Sequence, residues 1–79
     1  MIIFFFGRLA DLLGRDLSLG LPPCSVADVR REIARLYPAA AGDLEASRSR
    51  ACLNDELVDE DRVVGEGDEI AFLPPLSGG

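Results

Sequence analysis

Gly78 and Gly79 close the run Phe72-Leu73-Pro74-Pro75-Leu76-Ser77-Gly78-Gly79, and their chemistry lies in what they lack. Without a Cβ, two consecutive glycines thread a slot too narrow for other residue pairs, and they leave an unhindered α-carboxylate. The candidate reacting group is therefore the Gly79 carboxylate itself. Pro74 and Pro75 fix φ and hold Leu73 and Pro74 extended, which gives the segment a stiff stem. Residues 74–79 are expected to form an extended, flexible tail. At about 3.3 Å per residue, six extended residues reach roughly 20 Å, enough for a buried site in another protein. A merely disordered end would be polar or charged instead.

No other residues in the chain promise chemistry. Histidine is absent, and Cys24 and Cys52 are the only cysteines, so neither a zinc site nor a Cys-His nucleophile is expected. The two thiols read as small buried hydrophobes in a reducing compartment. Gly65 and Gly67 precede a strand and two carboxylates, Asp68 and Glu69, where a phosphate loop needs a helix and cations. They read as a turn. Asp59-Glu60-Asp61 lacks the alternating ligand spacing of a calcium loop and reads as a solvated acidic rim. No metal is expected, and no bound cofactor.

The net charge of −6 argues against nucleic acid and anionic membranes as partners. Residues 1–50 hold seven Arg against six Asp and Glu, whereas residues 51–79 hold eight Asp and Glu against Arg62 alone. The half that presents the tail thus reads as acidic, and its partners should offer basic surface. The apolar run Ile2-Ile3-Phe4-Phe5-Phe6 is too short to span a bilayer, and no basic stretch precedes it. A cytoplasmic location is the expectation.

The elements that would position the tail follow from hydrophobic patterning. Residues 2–6 read as a strand apolar on both faces. Leu9, Leu12 and Leu13 fit one or two helical turns stopped by Gly14. Alternation of Leu17, Leu19 and Leu21 gives a strand from Asp16 to Leu21, ended by Pro22-Pro23. Ser25 caps a helix with Asp28 three residues on, and Val26, Val29, Ile33 and Leu36 form its apolar stripe. Arg30, Arg31 and Arg35 are placed off that stripe, and Pro38 stops the helix. Residues 39–50 read as loop or a weak helical turn, residues 51–53 and 57–58 as short strands about an Asn54-Asp55 turn, and residues 69–73 as the closing strand.

This order predicts an α+β fold of the β-grasp, ubiquitin-like type: a small mixed sheet with one main helix packed on one face, over residues 1–73. First and last strands would be parallel neighbours. One helix covers one face, so the other is expected to dock a partner, with Phe5, Phe6, Phe72 and Leu73 as the docking residues.

The segment Gly67-Asp68-Glu69-Ile70-Ala71-Phe72-Leu73-Pro74-Pro75-Leu76-Ser77-Gly78-Gly79 resembles the closing signature of the molybdopterin synthase small subunits, ubiquitin-like sulfur carriers of the MoaD/ThiS family. Phe4-Phe5-Phe6-Gly7-Arg8-Leu9-Ala10-Asp11-Leu12-Leu13-Gly14 is similar to that family's opening strand and short helix. The resemblance spans nearly the whole chain but is weak over residues 38–52.

It implies that an activating enzyme adenylates Gly79 with ATP, and that a persulfide sulfur donor converts it to a thiocarboxylate. Gly78, Ser77, Leu76, Pro75 and Pro74 would then enter the large subunit of molybdopterin synthase within a heterotetramer. There Gly79 would give its sulfur to a cyclic pyranopterin precursor for molybdenum cofactor biosynthesis. The chain would be the non-catalytic sulfur-donor subunit of a sulfurtransferase. Carriers for thiamine and tRNA thiolation share the Gly-Gly end, as do ubiquitin-like protein modifiers, and these remain alternatives.

Overall fold

The computed structural model describes residues 1–75. Two strongly apolar strands, β1 (Ile2–Phe5) and β7 (Glu69–Leu73), lie side by side and parallel at the centre of the main sheet. Between them in sequence come α1 (Arg8–Leu13), β2 (Asp16–Ser18), β3 (Cys24–Ser25), α2 (Val26–Leu36), a 3-10 turn (Pro38–Ala40), β4 (Arg50–Leu53), β5 (Glu56–Leu57) and β6 (Val63–Val64). The five-stranded sheet runs β2-β1-β7-β4-β5, with only the β1–β7 pair parallel. A parallel pair requires a crossover, and α2 lies within it. This is the β-grasp arrangement that the element order predicts.

Alternation along the strands explains which face α2 covers. Ile3, Phe5, Ala51, Leu53, Ile70 and Phe72 are all buried, and they share a core with Val26, Val29 and Ile33 of α2. Phe5 and Phe72 stack there, with centroids 6.3 Å apart and rings inclined by 17°. Burying an aromatic or branched side chain of this size stabilises by about 1.5–3 kcal/mol.

The helix start follows its sequence signal. Asp28 N–H donates to the Ser25 hydroxyl at 3.1 Å, and Ser25 N–H donates to the Asp28 carboxylate at 3.2 Å, a reciprocal capping box. These bonds from Ser25 hold the Asp28 carboxyl below its ordinary pKa, and the Arg31 guanidinium adds to the effect. A lowered folded-state pKa stabilises above the unfolded carboxylate value, near pH 4, and the gain fades as pH falls through the folded value. Asp28→Asn is therefore expected to cost stability at pH 6, with the difference from the parent shrinking below about pH 4. Urea titrations across that range measure it; a constant difference would remove the charge from the account.

Two elements depart from expectation. The strand from Asp16 ends at Ser18 rather than Leu21, since Gly20 and Pro22-Pro23 turn the chain away; Leu19 N–H still bonds the Met1 carbonyl at 3.0 Å. A second, two-stranded sheet pairs Cys24 with Val64 and Ser25 with Val63. No periodicity of two residues announces strands this short. The Asn54-Asp55 turn forms as read, with φ of 48° and 71°. Asn54 closes it by accepting from Glu69 N–H at 3.0 Å and donating to the Asp68 carboxylate at 3.1 Å.

Candidate tail-presenting site

The strand register decides where the candidate tail leaves the domain. Phe5 stands opposite Phe72, and Phe6 N–H still donates to the Phe72 carbonyl at 3.2 Å, so β1 supports β7 to its last buried residue. Arg50 stands opposite Leu73 on the other flank. Beyond this point Pro74 and Pro75 are exposed, and neither can donate a further ladder bond. Gly7 lets Pro74 approach closely. At φ +63° it lies in left-handed space, and a Cβ there would stand 2.7 Å from Pro74 Cγ.

Leu76, Ser77, Gly78 and Gly79, the expected inserted residues, lie outside the described residues. Of the four predicted docking residues, two are corrected. Phe5 and Phe72 point under α2 and are 2% and 0% exposed, so no partner can reach them. Phe6 is 49% exposed and Leu73 half-buried, and both line a recess of about 520 Å³ with Cys52, Leu57, Arg50, Pro74 and Pro75. The outer sheet face is thus apolar and continuous with the stem of the tail. Cys52 in that recess and Cys24 are both half-buried rather than buried. Desolvation raises the pKa of the Cys24 thiol, with Asp28 adding to the rise.

Arg30, off the apolar stripe in the sequence reading, is buried in the structure. Its guanidinium donates to the Glu60 carboxylate at 2.7 and 3.0 Å, to the Leu44 carbonyl at 2.5 Å, and to the Ser49 hydroxyl and carbonyl at 2.6 and 2.9 Å. All its polar atoms are thereby satisfied. The same group lies over the Phe72 ring, 4.8 Å from its centroid. Arg30 therefore ties α2, the 44–49 segment and Glu60 to the last buried residue before the stem. Glu60 belongs to this network and not to a solvated rim. One sequence signal was available: position 30 is i+4 from Val26 and i−3 from Ile33, a buried slot of the helix.

The charge expectation is corrected as well. Asp55, Glu56, Asp68 and Glu69 gather where β7 begins, because Glu69 stands opposite Ile2 and follows the Asn54 turn. The tail leaves at the opposite end, among Arg8, Arg48 and Arg50. Acidic sequence and acidic surface are separated by the length of a strand.

Among the described residues, no three His, Cys, Asp or Glu side chains converge to hold a metal, and no helix is long and apolar enough to cross a membrane.

With a ubiquitin-like fold, a covered and an uncovered sheet face, and a Pro-Pro stem at the end of the central strand, the relatives can be compared. Residues 3–79 match the ThiS family. The chain belongs to that family. It is 30% identical over 82 residues to the "Molybdopterin synthase sulfur carrier subunit" of Dictyostelium discoideum, covering 98% of this chain and 93% of the relative. The protein of the same name from Escherichia coli is 32% identical over 80 residues, at 98% and 96% coverage.

Among solved structures, SAMP1 from Haloferax volcanii superposes with a TM-score of 0.78 at 26% identity, covering 99% of this chain and 97% of that one. A chain from the complex of subunits 1 and 2 of the Helicobacter pylori molybdopterin-converting factor shares the fold, with a TM-score of 0.66 at 23% identity over 99% and 96%.

Proposed function

We propose that this chain is the sulfur-carrier subunit of a molybdopterin synthase, acting in the cytoplasm through its Gly79 carboxylate. The observation that carries the reading is the junction at Leu73, where a central strand held between two neighbours leads into exposed Pro74 and Pro75, and the sequence that follows them closes on Gly-Gly. ThiS-family membership and relatives named as molybdopterin synthase sulfur carriers, each aligned over nearly its whole length, support it. The subunit complex from Helicobacter pylori supports a large-subunit partner.

A carboxylate is a poor electrophile, so it needs activation. In the proposed sequence a Gly79 oxygen attacks the α-phosphate of ATP on an activating enzyme and pyrophosphate leaves. The terminal sulfur of a persulfide donor then attacks the acyl carbon and displaces AMP. Thiol cleavage of the resulting acyl disulfide releases the thiocarboxylate. Leu76, Ser77 and Gly78 thread the slot of the large subunit, which supplies acid–base groups and donors for the oxyanion. The carrier's own structure supplies aim and reach.

Two measurements test this. Incubation with the activating enzyme, ATP and persulfide sulfur should raise the intact mass by the difference between sulfur and oxygen. An unchanged mass would overturn the reading. The second concerns docking through the outer face. Phe6→Asp should leave the denaturation midpoint nearly unchanged, because Phe6 is half exposed, yet weaken binding to the large subunit by about tenfold or more. Equal affinity in titration calorimetry would place the docking face elsewhere.

A further inference from the structure

The stem of the tail is a ridge between two recesses. Phe6, Leu73, Pro74 and Pro75 line both. On one side the recess, about 280 Å³, also holds Arg8, Asp43 and Arg48; on the other it holds Arg50, Cys52 and Leu57. Asp43 accepts from Arg8 at 3.1 Å and neutralises it. Arg48 and Arg50 are exposed and form no salt bridge among the described residues. In a chain of net charge −6, two unpaired cations thus flank the exit of the tail.

We propose that Arg48 and Arg50 clasp carboxylates on the rim of the activating enzyme's slot that receives the tail. This rests on the carrier reading above. Charge complementarity selects the partner chemistry: an apolar ridge flanked by guanidiniums fits an apolar slot mouth flanked by Asp or Glu. Reach excludes the phosphates of a nucleotide. Six residues, 74–79, would span roughly 20 Å if extended, and a nucleotide reacting at Gly79 in the proposed sequence would then lie far beyond side chains rooted at the stem. The arginines therefore act on capture and orientation, and leave the chemical step untouched.

The test uses the full chain with its cognate activating enzyme, following pyrophosphate release. Arg48→Gln/Arg50→Gln should raise KM for the carrier about tenfold at unchanged kcat and flatten the rise of KM with salt. Arg48→Lys/Arg50→Lys should recover part of the loss. Arg31→Gln/Arg35→Gln removes the same charge from the outer face of α2 and should change KM less than about twofold.

Equal KM values in both glutamine pairs would reduce the collar to net charge and overturn the inference. So would ATP binding to the isolated chain that is lost with Arg48 and Arg50, since it would assign them to a nucleotide. A parent chain that releases no pyrophosphate overturns the carrier reading and this inference together; unchanged KM in the collar variant overturns the inference alone.

Discussion

Deletion of Gly79 should leave the denaturation midpoint where it was and abolish thiocarboxylate formation. Both halves of this result follow from where the core ends. The buried hydrophobic side chains of the described residues run from Ile3 to Phe72, and Pro74 and Pro75 are already exposed. Removing a residue beyond them takes no side chain out of the core. The chemistry is another matter, because the deletion moves the carboxylate back by about 3.3 Å. Reacting atoms must approach to about 3–3.5 Å, and a misplacement of about 1 Å can already cost about a hundredfold. Pyrophosphate release should fall to background.

Gly78→Ala keeps the length but adds a methyl in the slot, so it should fold normally and lose most turnover. Intact mass and pyrophosphate release read both variants. A truncated chain that still acquired sulfur would sink the mechanism, whatever the fold.

What the sequence disclosed and what it hid divide along a physical line. Ser25 with Asp28, Gly14, Pro38 and the Asn54-Asp55 turn are local signals, each acting on its own backbone, and each marks its element in the structure. The apolar character of β1 and β7 likewise announces the two central strands, which pair in parallel with one face under α2 and the other left open. Long-range register is not written locally. That Arg50 faces Leu73 depends on β4 running antiparallel to β7, and this alone turns an acidic sequence half into an arginine-flanked tail exit. Phe5 and Phe6 show the same limit: adjacent and chemically equal, they differ only in the face of the sheet they meet. Residue type also misled at position 30, where an arginine occupies a slot that helical spacing assigns to the core. Its partner Glu60 lies thirty residues away, and no local pattern joins the two.

The second large effect is expected at that arginine. Arg30→Ala should destabilise the domain by about 2–5 kcal/mol, the range for truncating a large buried side chain, with the orphaned carbonyls adding to the loss. A chain of this length has a total stability of about 4–12 kcal/mol, so the loss is a large share of it. Three costs act together. The Leu44 and Ser49 carbonyls lose their donor, the Phe72 ring loses the cation above it, and a void opens between α2 and the 44–49 segment.

Glu60→Ala should cost far less, about 1 kcal/mol, because the Glu60 side chain is 39% exposed and water can replace its bonds. The same asymmetry predicts that Arg30→Met, which refills the void, recovers only part of the loss, since both carbonyls remain without a donor. Urea midpoints at constant m-value report all three variants. A loss at Arg30→Ala no larger than that at Glu60→Ala would mean that the ion pair matters and the carbonyl bonds do not. Because the guanidinium rests on Phe72, the variant should also loosen the end of β7. Faster amide exchange at Leu73 than at Ile3, beyond the global change, is the expected sign that Arg30 holds the stem as well as the core.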